Sequence, residues 1–186
     1  SAYIAACDDR IVAAAPENYL TTFESVLKMR GPQDAEQNFY RGLARGFDQA
    51  DLVIARAPKP ALIVATTRDI FNIEGTLAVF AEARRAHAAL GGADTIAMTV
   101  DDAEHQSTKK NREATYAFFR KHLNHPGDSA DESIPRPSED ELRITATGQV
   151  LTALPGETVF TLNRRRAEGL AQKLDVFGVR LLADAI

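Results

Sequence analysis

Three short apolar runs punctuate the first half of the chain. Arg10-Ile11-Val12-Ala13-Ala14-Ala15 is closed by Pro16, Ala61-Leu62-Ile63-Val64-Ala65-Thr66 follows Pro60, and Thr95-Ile96-Ala97-Met98-Thr99-Val100 follows a Gly-Gly pair. None alternates apolar with polar residues, and their length suits strands buried on both faces. Helical patterns lie between and after them. Asp34 to about Gln49 opens with a capping-box spacing, Asp34 to Gln37, and Gly75 to Leu90 is Ala-rich and stops at Gly91-Gly92. Lys109 to Leu123 carries Ala114, Tyr116, Ala117, Phe118 and Phe119 toward a core and stops near Pro126. Strands alternating with helices predict a parallel α/β sheet with flanking helices.

Beyond that helix the pattern changes. Residues Pro126 to Glu141 are rich in Pro, Ser and acids, a linker composition with little apolar surface to pack. Leu142 to Thr147 and Gln149 to Leu154 flank Gly148 as a β-hairpin would, Thr158 to Leu162 reads as a further strand, and Asn163 reads as the N-cap of a helix through Leu174. The predicted organisation is an α/β region over residues 1–125, a linker over 126–141 and a small β-plus-helix appendage over 142–186.

Composition narrows the classes of function. The chain has 186 residues, 45% of them hydrophobic, and a net charge of −4. That supports one core plus an appendage and gives no electrostatic footprint for nucleic acid; the basic cluster Arg164 to Arg166 is short enough to be a solvated helix start. No apolar run approaches the ~20 residues of a membrane span. The single cysteine, Cys7, excludes an internal disulfide and a Cys-based zinc site, and its Ala-rich setting predicts a buried thiol. No metal-ligand cluster or cofactor motif is visible. Ser1 to Cys7 reads as the middle of a helix, and Leu181 to Ile186 stops in an apolar stretch without a cap, so both ends read as cuts. Localisation is left open.

Parallel α/β folds place their chemistry at the carboxyl ends of strands. Asp69 follows the run Ala61 to Thr66 by a short turn, and His105 follows the run Thr95 to Val100 just before the last helix of the α/β region. Neighbouring strands would bring both to one sheet edge, in the order acid then histidine of a Ser-Asp-His triad. Singly, each has a plainer reading: Asp69 as a turn or cap residue, His105 as an ordinary loop histidine. Asp101, Asp102 and Glu104 are alternative partners for His105, or solvated turn formers. His87 reads as a surface position on a helix, and His122 and His125 as residues at a helix C-terminus, where the dipole favours them.

The stretch from about Tyr3 to Leu123 resembles the C-terminal half of secreted-type α/β-hydrolases of the acetyl xylan esterase-like family. The resemblance rests on Asp8-Asp9-Arg10-Ile11, Pro16-Glu17-Asn18-Tyr19-Leu20, Gly31-Pro32-Gln33-Asp34, Ala57-Pro58-Lys59-Pro60, Arg68-Asp69-Ile70-Phe71 and Ala103-Glu104-His105. It is weaker over Leu142 to Leu174. It implies that Asp69 and His105 are the triad acid and base. It also implies that the nucleophilic serine of a GxSxG elbow precedes Ser1, that Ser1 itself is not the nucleophile, and that no cofactor is needed. The implied substrate is a small-molecule or carbohydrate ester, and the implied partner is the missing N-terminal half of the same domain. The chain alone is then expected to be inactive and prone to associate through exposed apolar faces. The contrasting reading is a non-catalytic α/β scaffold or binding domain; a flavodoxin-like or nucleotide-binding domain ranks last, since no glycine-rich phosphate loop follows a strand.

Overall fold

The computed structural model describes residues 2–29 and 37–176, with side chains to residue 172. The chain divides into two units, Ser1–Glu132 and Ser133–Ile186. In the first, β1 (Ala61–Thr66) and β2 (Ile96–Asp101) pair in parallel, with Ala61 opposite Ile96 and Thr66 opposite Asp101. The expected strand at Arg10–Ala15 is displaced toward the C-terminus. Its pairing with β1 consists of two parallel bridges, Ala14 to Ala61 and Glu17 to Val64, while Val12 is exposed. Pro16 explains the interruption, because it has no N–H to give to a ladder and contributes only its carbonyl, which accepts from Val64 N–H at 3.0 Å.

All six residues of β1 are buried, as the unbroken apolar run predicts. Alternation sends them to two layers. Ala61 and Ile63 pack with Leu20, Leu52, Val53, Val79 and Ala83, whereas Leu62 and Val64 pack with Phe118, Phe119, Ala13 and Ala15. The first layer is built by α1 (Ala2–Cys7), α2 (Phe23–Leu27), α3 (Gln49–Ile54) and α4 (Ile73–Ala89). The second is α5 (Lys109–His122). Fully buried Asn111 ties α5 to both strands, donating from Nδ2 to Ala65 O at 2.9 Å and accepting from Thr99 Oγ1 at 3.3 Å. On α5, Phe118 is buried and Phe119 half-buried as expected, but Tyr116 and Ala117 are exposed.

Several local expectations are corrected. The capping spacing at Asp34 and the Gly31–Asp34 stretch lie outside the described residues, as do Ser1 and the segment Leu181–Ile186. Over residues 38–48 the predicted long helix gives way to turns and a 3-10 turn at Leu43–Arg45, since Arg41 (φ 60°) and Gly46 (φ 75°) take left-handed conformations that a helix cannot continue through. The capping box belongs to α3 instead, where Asp51 Oδ2 accepts from Asp48 N–H at 2.8 Å. Cys7 is exposed, because α1 turns Ala2 and Ala5 inward. His87 is fully buried rather than at the surface.

The second unit also departs from its predicted strands. Residues 142–149 form turns and irregular loop, followed by α6 (Val150–Ala153) and α7 (Val159–Val176), with no strand among its described residues. Asn163 lies inside α7, and the capping bond at its start comes from Thr158, whose Oγ1 accepts from Thr161 N–H at 3.0 Å.

Candidate active site

The register of β1 against β2 brings their carboxyl ends level, and the loops that follow build one site. The ladder continues past both strands, with Thr67 N–H donating to Asp101 O and Arg68 N–H to Ala103 O, each at 2.9 Å. Asp69 therefore sits in a tight turn directly beside the loop carrying His105. Its carboxylate is buried, with 3% of the side chain exposed. Oδ1 accepts from Phe71 N–H at 3.0 Å, and Thr66 Oγ1 lies 3.2 Å from Oδ2 and 2.9 Å from Glu104 O, so one hydroxyl proton links acid and loop.

His105 Nδ1 lies 2.9 Å from Asp69 Oδ1. An ionised carboxylate only accepts, so the ring carries its proton on Nδ1 and leaves the Nε2 lone pair for another proton. Half of the imidazole side chain is exposed, and the Phe71 ring packs against it with centroids 5.9 Å apart. The alternative partners are engaged elsewhere or exposed. Asp102 accepts from Thr67 Oγ1 and pairs with Arg68, which together hold its carboxyl below the usual range; Asp101 lies 3.8 Å from Lys110 Nζ; Glu104 is exposed. His122 packs on Phe118, with ring centroids 4.6 Å apart, and His125 follows the end of α5.

His105 lines a cleft of about 380 Å³ together with Glu17, Asn18, Tyr19, Gln37, Phe71 and Gln106. Asn18 adopts φ 56° and donates from Nδ2 to Gln106 O at 2.8 Å. One carboxylate oxygen of Glu17 and the Asn18 Oδ1 are buried without a hydrogen-bond partner. Burial pushes the Tyr19 phenol far up, which keeps it protonated. The residue patterns did not single out Glu17 and Asn18 as site residues. The available signal was Pro16, which closes a strand-like run and so places the next residues at the same carboxyl edge as Asp69 and His105.

No family model matches the sequence, and no curated protein matches it. Solved structures do. A carbohydrate esterase family 15 glucuronoyl esterase from Caldicellulosiruptor kristjansonii superposes with a TM-score of 0.55 at 21% identity, over 73% of this chain and 44% of that one. The glucuronoyl esterase catalytic domain from Hypocrea jecorina gives 0.54 at 19%, over 71% and 44%. The methylesterase BT1017 gives 0.54 at 24%, over 67% and 27%. The chain shares the α/β fold of these esterases. It spans less than half the length of each, and at such identities the likeness concerns the fold, while chemistry has to be argued from the site.

Proposed function

We propose that this chain contributes the acid and base of a serine carboxylester hydrolase acting on carbohydrate esters, with the nucleophilic serine supplied from a segment preceding Ser1. The reading rests on one observation above the rest: a buried Asp69 carboxylate 2.9 Å from Nδ1 of a half-exposed His105 at the edge of a cleft. The shared fold with three solved esterases and the resemblance to acetyl xylan esterase-like hydrolases point the same way.

In this mechanism His105 Nε2 takes the proton of the serine hydroxyl as its oxygen attacks the ester carbonyl. Asp69 holds the ring in the Nδ1–H tautomer and stabilises the imidazolium. The tetrahedral intermediate collapses, the C–O bond to the alcohol breaks, and the imidazolium returns its proton to the leaving alcohol. Water, deprotonated by the same Nε2, then attacks the acyl-enzyme and releases the acid and the serine. The backbone amides that stabilise the oxyanion are assigned to the same preceding segment as the serine. Residues 1–125 are accordingly read as the C-terminal half of the hydrolase domain, and 142–186 as an appendage.

The test is expression of the chain together with the sequence that precedes it, assayed against 4-nitrophenyl acetate, acetylated xylan and a methyl ester of glucuronic acid. Hydrolysis with a fluorophosphonate-labelled serine supports the reading, and the preferred ester sets the acyl group. Absence of both a GxSxG elbow upstream and of any labelled serine would leave a non-catalytic α/β scaffold in its place.

A further inference from the structure

His105 sits in a loop without regular structure, and a catalytic imidazole needs a fixed address. The carbonyls flanking it are held from three directions. Glu104 O accepts from Thr66 Oγ1 on β1, Gln106 O from Asn18 Nδ2 beyond the strand-like segment, and Ser107 O from Arg112 Nη1 on α5. Thr66 is buried and short, and Asn18 is fixed by its turn. Arg112 is long, sits on the first turns of α5 and is over a third exposed, so by itself it would be a poor anchor.

What fixes Arg112 lies outside every regular element. Asp131 belongs to the stretch whose composition reads as linker, yet its side chain is only 14% exposed. It takes the guanidinium in two-pronged fashion, with Nη2 2.6 Å and Nε 3.1 Å from Oδ2, and Nε 3.2 Å from Oδ1. Tyr116 Oη donates to Oδ1 at 3.2 Å from one turn further along α5, and Asp131 N–H donates to Glu113 Oε1 at 3.0 Å. Three side chains of one helix thus seat this aspartate, and the guanidinium's remaining arm reaches the His105 loop. A fork of this kind fixes orientation as well as distance.

We propose that Asp131 and Arg112 form a brace that positions the His105 loop, so that the segment after α5 belongs to the catalytic unit rather than to a linker. Both are positioning residues: neither lines the cleft. The unit boundary between Glu132 and Ser133, just past Asp131, agrees with this division. The effect on turnover rests on the ester-hydrolase reading; the hold on the imidazole does not.

The test reads both. In the isotopically labelled chain, the His105 Nδ1 proton and the pH titration of its imidazole are followed by NMR for wild type, Asp131→Asn, Arg112→Met, Arg112→Lys and Tyr116→Phe. The expected result is a weakened Nδ1 proton signal and a shifted titration in Asp131→Asn and Arg112→Met. Arg112→Lys should recover part of the change, and Tyr116→Phe, which removes one donor to Asp131, should move both readouts in the same direction but by less than Asp131→Asn. In the complete enzyme the same variants should lose kcat with KM little changed, by on the order of tenfold, since misplacing a reacting group by about 1 Å can cost 100-fold. Should Arg112→Met fail to fold, Asp131→Asn and Arg112→Lys carry the comparison. A wild-type imidazole signal in Asp131→Asn overturns the brace even if the enzyme hydrolyses esters. An inactive complete protein whose His105 signal still responds to Asp131→Asn removes the hydrolase reading and keeps the brace.

Discussion

Asp69 Oδ1 lies 2.9 Å from His105 Nδ1 across the carboxyl ends of two adjacent parallel strands, with the carboxylate buried and the imidazole half exposed. Under the proposed ester-hydrolase reading, this asymmetry assigns orientation to the aspartate and proton transfer to the histidine. Asp69→Asn would keep the shape but offers an N–H toward Nδ1, favouring the wrong tautomer. In the complete enzyme kcat should fall by about 10⁴-fold, the loss known for this change in a serine protease triad. His105→Ala should cost at least as much. A loss below tenfold for Asp69→Asn in a steady-state assay would separate this aspartate from the chemistry.

Asn18 links the strand-like segment to the His105 loop while holding φ 56°. Asparagine tolerates this left-handed conformation better than other side chains carrying a Cβ. Two variants separate backbone from hydrogen bond. Asn18→Gly keeps the conformation and loses the bond to Gln106 O, costing about 0.5–1.5 kcal/mol. Asn18→Ala loses the bond and adds roughly 1 kcal/mol of backbone strain. Urea unfolding should therefore rank wild type above Gly above Ala. The reverse order of the two variants would mean that the turn, not the side chain, is dispensable.

Gly75 lies in the first turn of α4, where a Cβ would come within 2.1 Å of Thr21 Oγ1 and 2.6 Å of Ser25 Oγ. Thr21 is fully buried and already donates to Asn72 O at 3.0 Å, so it has nowhere to move. Although alanine is the better helix former, Gly75→Ala should destabilise the first unit by about 1–3 kcal/mol through overpacking. A rise in the urea midpoint would show that α4 can shift away from this contact.

The parts of the fold that were legible share a physical cause. β1 runs between β2 and residues 14–17 and is buried on both faces, while α4 and α5 satisfy their backbone groups internally, so an apolar run, the Gly91-Gly92 stop and an amphipathic face sufficed. Asp69 and His105 were legible because a parallel strand's carboxyl end follows directly from where its apolar run stops. What failed depended on context. Ile144, Val150, Leu151, Val159 and Phe160 suggested strands, yet a strand must find a partner for its backbone, whereas a helix supplies its own. All five are exposed in loop or helices. His87 was read as a surface position on its helix, and only its packing beside Val53 of α3 and Arg56 shows otherwise. The Asp131 brace could not be read from a stretch whose composition is that of a linker.

His87 yields the prediction that pH should decide. Its ring is fully buried, and Nδ1 lies 2.9 Å from Thr95 Oγ1. The Thr95 hydroxyl gives its own proton to Gly92 O at 2.8 Å, so it must accept from His87 Nδ1–H. Burial lowers the imidazole's pKa most; the Val53 carbonyl opposes this, and the Arg56 guanidinium lowers it further. In the unfolded chain His87 titrates near the ordinary value of about 6.5. Between that value and the lower folded one, the unfolded state binds more protons than the folded state. Stability contributed by the neutral ring is therefore full above pH 7 and is lost as pH falls through about 6.5 toward the folded pKa. His122, partly buried, is shifted the same way, again by burial first. Urea midpoints measured from pH 7.5 to 5.5 should fall in wild type, and the slope should flatten in His87→Gln more than in His122→Gln. Equal slopes in wild type and His87→Gln would mean that the buried imidazole titrates as it does in the unfolded chain, and that Arg56 and the surrounding core do not hold it neutral.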